Sequence, residues 1–186
     1  MKLAKSLDRL GTETAFSVLA EAKKLEAKGK PMIHLGLGQP DFKTPKHIVD
    51  AAKKALDDGH HGYVLSNGIL ECRQAVTRKI KKLYNQDIDP ERIIIMPGGK
   101  PTMSYAIQCF GEPGVEIVHP TPAFPIYESM INFTGAKPVP YDLTEDKDLK
   151  FNPEKILSLI TEKTKLLILI NPNNPTGSFV DKSDID

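Results

Sequence analysis

A chain of 186 residues, 40% apolar and 26% charged, has the composition of a globular protein with a core of its own, which excludes disordered and collagen-like chains. Lys and Arg total 25 against 24 for Asp and Glu, and the resulting +1 removes any electrostatic case for nucleic acid or an anionic membrane. The longest apolar runs, 93–96 and 166–170, fall far short of the roughly 20 residues that cross a bilayer.

The first residues turn charged at once and hold no apolar stretch of the secretory kind. Val18, Ala22 and Leu25 repeat at helical spacing, and Gly29 offers a C-terminal cap, so a first helix should end near Lys28. Thr44-Pro45 reads as an N-cap followed by proline at the first helical position. Behind it Ile48, Ala52, Ala55 and Leu56 line one face as far as Gly59. Ile69, Arg73, Val76, Ile80 and Leu83 describe a long helix whose apolar stripe is interrupted only by Arg73.

From residue 90 the pattern changes character. Residues 93–96 form a short continuous apolar strand, followed by a helix carrying Met103, Ala106, Ile107 and Phe110. After the turn at Glu112-Pro113-Gly114, a strand runs through Val115-Glu116-Ile117-Val118. A proline-rich loop, a helix over 126–133 and a short strand over 137–141 come next. Asn152-Pro153 caps a helix with Ile156, Leu157 and Ile160. Residues 166–170, apolar on both faces, read as a central strand. Strands alternating with helices predict an α/β fold with a largely parallel sheet flanked by helices. Residues 178–186 read as a loop entering a helix that does not follow, so the chain is expected to stop before its sheet is complete. The unpaired strand edge that would remain is an expected site of pairing or aggregation.

Two cysteines, Cys72 and Cys109, are too few for a disulfide framework or a metal site. Buried reduced thiols in a cytoplasmic protein are expected. His34, His47, His60, His61 and His119 do not stand in metal-ligand spacing, so no metal is expected.

Four segments carry chemistry. Met96-Pro97-Gly98-Gly99-Lys100 joins a strand to a helix N-terminus, which suits a phosphate, although many strand-to-helix turns need glycine for steric reasons alone. Asn171-Pro172-Asn173-Asn174-Pro175-Thr176-Gly177 is a stiff, amide-rich loop at the C-terminal end of a strand, where open α/β sheets bind ligands. In Pro122-Ala123-Phe124-Pro125 the prolines hold one aromatic ring, fit either for stacking on a flat ligand or for the core. Gly36-Leu37-Gly38-Gln39-Pro40-Asp41 is a tight turn, or a row of N–H groups for a carboxylate. Neither a Walker loop nor a dinucleotide fingerprint is present.

Taken together with Tyr63, Gly68 and Arg73, these segments occur in one order and spacing. That order resembles the class I/II aminotransferases, pyridoxal-phosphate enzymes of the aspartate aminotransferase type (fold type I), from about Arg9 onward. The resemblance implies that Gly99 and Lys100, with Gly98 in the same turn, bind the phosphate of pyridoxal 5'-phosphate. It implies that Phe124 stacks on the pyridine ring and Asn174 hydrogen-bonds the phenolic oxygen, so that both also lie beside the substrate. It further implies that Gly38 meets the substrate α-carboxylate, and that Tyr63 reaches the phosphate bound in the other subunit of a homodimer. Residues 1–44 would be an N-terminal arm and part of the small domain, and 45–186 the first half of the large cofactor-binding domain. The family's Schiff-base lysine, pyridinium-pairing aspartate and carboxylate-binding arginine lie beyond the Asn-Pro-Thr-Gly loop in family order, so no catalytic residue is expected in this chain. Lys100 is expected to contact phosphate or solvent. The implied activity is transfer of an amino group between an L-amino acid and a 2-oxo acid, with these 186 residues inactive alone. A β-lyase or synthase on the same scaffold, or a non-catalytic domain of that fold, would share the motifs.

Overall fold

The computed structural model describes residues 2–11, 14–144 and 148–185. The chain divides into two compact units, one of Met1–Ser17 with Gly98–Asp186, the other Val18–Pro97. Residue 44, the boundary implied by the resemblance, lies inside the second of these.

The unit containing residues 98–186 holds α4 (Gly99–Phe110), β1 (Glu116–Thr121), α5 (Ile126–Thr134), β2 (Lys137–Asp142), α6 (Pro153–Leu159) and β3 (Thr164–Leu167). All pairings are parallel, and the order is β2-β1-β3. The alternation of a strand sorts the core. Ile117 joins Ile107 of α4 and Ile131 of α5 on one face, while Val118 joins Tyr141 and Ile156 of α6 on the other. Two helix boundaries follow sequence chemistry closely. Asn152 Oδ1 accepts a hydrogen bond from the Lys155 N–H, capping α6. Gly135 takes φ +87° in the left-handed region to end α5. Near the N-terminus the Arg9 guanidinium donates to the carbonyls of Asn132 (2.8 Å) and Phe133 (2.9 Å), at the negative end of α5.

The second unit carries most of α1 (Thr14–Glu26), then α2 (Lys46–Asp57) and α3 (Leu70–Tyr84). The residue that breaks the α3 stripe is its most deeply buried. Arg73, 1% exposed, donates to the carbonyls of Gly68 and Pro90 and pairs with Glu91 at 2.7 Å. It thus joins the entry of α3 to the 3₁₀ turn Pro90–Arg92, which Asp89 caps through the Glu91 N–H.

Several expectations are corrected. Thr44 does not cap α2. Pro45, at φ −52° and ψ 137°, lies outside the helical region and is itself the N-cap, with its carbonyl receiving the N–H groups of Ile48 and Val49. Proline's ring disfavours a helical conformation for the residue before it, which sets Thr44 outside the helix. Residues 93–96 are not a strand. The Ile95 N–H donates to the Asn67 carbonyl, and no described strand pairs with them. The run at 166–170 is not central among the described strands. It contributes β3 at the edge of the sheet, and β1, with four consecutive buried residues, takes the middle. Finally, neither thiol is buried: Cys72 is half-buried and Cys109 exposed, though both are free.

Candidate cofactor site

Strand order locates the site. The chain leaves β1 through α5 to β2 on one side, then returns through α6 to β3 on the other. The loops after β1 and β3 therefore diverge at the C-terminal edge of the sheet, the switch point at which open α/β folds hold ligands. Those loops are the Pro122-Ala123-Phe124-Pro125 and Asn171–Gly177 segments. Asn173 bridges them, its Nδ2 donating to the Pro122 carbonyl at 3.4 Å and to Thr176 Oγ1 at 2.9 Å.

The loop after β3 closes on itself. The Asn173 N–H donates to the Ser178 carbonyl and the Gly177 N–H donates to the Asn173 carbonyl, both at 2.8 Å. Asn174 lies exposed at its tip, next to Pro175 across a cis bond. Phe124 is half-buried.

The third component is the N-terminus of α4. Gly98 is its N-cap at φ +98°, a conformation open to glycine and strained for any residue with a Cβ. No side chain caps the helix and no acidic residue stands in its first turn. The first N–H groups are thus not competed for by an acidic side chain of the helix's own first turn, and a Cβ added at Gly98 would meet nothing within 4 Å among the described residues. Lys100 lies with its ammonium 5.5 Å from the Phe124 ring centroid and 5.2 Å from that of Phe16, which brings the phosphate turn and the aromatic loop together.

These residues suit a planar, phosphorylated ligand. A dianion matches the uncapped helix start, a half-buried ring offers a stacking face, and an exposed amide can donate to an oxyanion. Of the residues expected at the site, Gly98, Gly99, Lys100, Phe124 and Asn174 fall in one compact unit, whereas Gly38 and Tyr63 belong to the other. The Tyr63 ring is fully exposed, and Gly38 lies in an open turn.

Two further residues have no distinguishing signal of their own in the sequence. Asn173 is one amide among three in its motif, and the structure places its side chain at the base of the turn, bonded to Pro122 and Thr176, rather than at the tip. His119, on β1, is 3% exposed; its Nδ1 lies 3.1 Å from the Pro120 carbonyl and its Nε2 has no hydrogen-bond partner among the described residues. Burial holds its imidazole below the ordinary histidine range, partly opposed by that carbonyl and by the nearby Glu128.

Residues 30–186 match the family model described as aminotransferase class I and II. An aspartate aminotransferase of Bacillus subtilis is 36% identical over all of this chain and 47% of its own length. A (5-formylfuran-3-yl)methyl phosphate transaminase of Methanocaldococcus jannaschii is 38% identical over 97% of this chain and 46% of its own. Among solved structures, the Thermus thermophilus aspartate aminotransferase with maleate superposes with a TM-score of 0.94 at 30% identity, covering 100% of this chain and 48% of that one. The chain thus spans about half the length of the curated relatives it matches.

Proposed function

Because the chain belongs to the family of class I and II aminotransferases, we propose that it supplies the phosphate-, ring- and phenolate-binding part of a pyridoxal-phosphate site in an enzyme that moves an amino group between an amino acid and a 2-oxo acid. The observation that carries the reading is the convergence, in one unit, of the uncapped α4 N-terminus, the Phe124 ring and the turn bearing Asn174 at the switch point of the sheet.

When bound, the cofactor supplies a carbonyl that exchanges amino groups and a ring that withdraws electrons from the reacting carbon. The residues of this chain hold and orient it. The N–H groups of Gly99 and Lys100 receive the phosphate, and Gly98 lets the backbone come close to it. Phe124 covers one face of the ring, excluding water, and Asn174 donates its amide N–H to the phenolic oxygen. Gly38 offers its backbone N–H to the substrate carboxylate. Tyr63, exposed to its full extent in the single chain, reaches the phosphate of a second subunit in a homodimer. The lysine that bonds covalently to the cofactor is assigned to none of residues 1–186, and Lys100 serves the phosphate. A cytoplasmic setting belongs to the same reading, supported by two free thiols.

The test is titration of pyridoxal phosphate into the protein, followed by borohydride reduction and peptide mapping. Saturable binding displaced by inorganic phosphate, with no single lysine trapped in stoichiometric amount, is expected. Absence of phosphate-displaceable binding refutes the cofactor site. Clean reduction onto one lysine refutes the assignment of the covalent residue to a position outside this chain.

A further inference from the structure

The side chain of Asn173 is 7% exposed, yet it sits in a loop whose neighbours Asn171, Pro172, Asn174 and Pro175 are all exposed. Its hydrogen bonds form a chain with one direction. Ser178 Oγ donates to the Leu149 carbonyl at 2.7 Å, which commits its proton. The 2.7 Å contact between the Thr176 and Ser178 hydroxyls must then carry the Thr176 proton. Thr176 Oγ1 is left as an acceptor, for the Ser178 N–H at 3.3 Å and for Asn173 Nδ2 at 2.9 Å. The Pro122 carbonyl can only accept as well. Both neighbours therefore require the amide nitrogen, and the orientation of the side chain is determined by its partners.

The consequence is an acceptor with nothing to accept. Asn173 Oδ1 is buried without a hydrogen-bond partner among the described residues, a state that few native polar atoms are left in. An apolar residue at position 173 would avoid that cost. What it would lose is the tie between the Phe124 loop, through Pro122, and the turn that presents Asn174.

We infer that Asn173 is a positioning residue, whose amide sets the Phe124 ring and the Asn174 amide at the separation needed to hold the face and the phenolic edge of one cofactor ring. This rests on the cofactor reading above and adds a residue that touches neither ring nor phosphate. Directional hydrogen-bond chains strengthen one another in a low-dielectric setting, so the Thr176 hydroxyl is part of the same device.

The test uses pyridoxamine phosphate, which forms no adduct with surface lysines, as ligand, and inorganic phosphate as competitor. In Asn173→Ala and Asn173→Asp, which both lack the donor, affinity for pyridoxamine phosphate should fall about tenfold, the loss of one buried hydrogen-bonded tie. The circular dichroism induced in the ligand's absorption band should fall as well, even at saturation, because the ring is less firmly held. The inhibition constant of phosphate should stay unchanged, since α4 presents its N–H groups without help from Asn173. Thr176→Val should reproduce these effects and Thr176→Ser should restore them. Wild-type affinity and dichroism in the Asn173 variants would overturn the inference alone. A parallel loss of phosphate affinity would assign Asn173 to the fold and overturn it too. Failure of the wild-type protein to bind pyridoxamine phosphate would overturn the cofactor reading itself, and this inference with it.

Discussion

Replacing Arg73 by methionine should destabilise the unit around α3 far more than its one ion pair accounts for. The substitution keeps most of the buried stem and removes only the guanidinium. Three hydrogen bonds go with it: Nε to the Gly68 carbonyl at 3.1 Å, Nη1 to the Pro90 carbonyl at 3.0 Å, and Nη1 to Glu91 at 2.7 Å. The Glu91 side chain is 68% exposed, so water takes over its solvation and the ion pair contributes at most about 1 kcal/mol. The two carbonyls are different. Each loses a charge-assisted donor in a partly buried setting, at about 1–2 kcal/mol apiece. The opposing effect is release of the desolvation cost of the guanidinium, which is large when a buried charge is poorly paired. Here three hydrogen bonds, two of them to backbone carbonyls and one to a carboxylate, hold the group, so only part of that cost is regained. A net loss of about 3 kcal/mol is expected, on the order of 150-fold in the local opening equilibrium.

The assay is amide exchange along α3 under increasing urea, comparing Arg73→Met with Glu91→Gln. Glu91→Gln keeps both carbonyl contacts and should cost under about 1 kcal/mol. Equal losses in the two variants would show that the ion pair dominates. An Arg73→Met protein indistinguishable from wild type would show that the carbonyls find other donors. Either result refutes the reasoning.

At the phosphate turn, Gly98→Ala should weaken competition by inorganic phosphate and lower stability by about 1–2 kcal/mol, from the left-handed backbone alone, since a Cβ there meets no neighbour; isothermal titration and urea unfolding check both. Gly68→Ala should cost more, because its Cβ would stand 2.8 Å from Ile95 Cβ and Cγ1 in addition to a φ of +95°. Tyr141 donates to the Ile168 carbonyl at 3.0 Å, and burial pushes its phenol up to about 12. A raised folded-state value means that stability is complete below the ordinary value of 10 and is lost as pH climbs from 10 towards 12. Tyr141→Phe should abolish that alkaline loss in pH-dependent unfolding while costing about 1 kcal/mol at neutral pH. His119, held below the ordinary value of 6.5 by burial, should titrate by NMR below that of a model peptide, and the stability of its neutral form should be lost as pH falls through that range. A midpoint above 6.5 would contradict its buried setting.

What could be read before the structure, and what could not, divides along one physical line. Features encoded within a few residues were legible. Gly29, expected to cap the first helix, takes the left-handed conformation just beyond it. Asn152 caps because its amide reaches three residues ahead. The Asn171–Gly177 loop stood out because prolines and amides of that density have local consequences of their own. The misreadings concern partners distant in sequence. Residues 93–96 and 166–170 look alike by composition, yet the second finds a strand to pair with through Glu116 to Val118, while the first donates to the isolated carbonyls of Pro90 and Asn67. Apolar content says that a run seeks burial, not that a neighbouring strand is available to it.

Polarity on an apolar stripe carries information of the opposite sense. Arg73, on the apolar stripe of α3, and Asn173, in an otherwise exposed loop, are both buried polar residues that reach backbone carbonyls of turns: Gly68 and Pro90 for one, Pro122 for the other. The carbonyls of turns are met only in part by backbone donors, as Pro90 is by the Ile93 N–H, and a long or amide side chain from an adjoining element supplies a further one. A polar residue that breaks an otherwise regular pattern is therefore best read as a donor whose acceptors lie in the nearest irregular segment. That rule directs attention to Arg73 from its place on the α3 stripe, whereas Asn173, one amide among three in an irregular loop, gives no such signal.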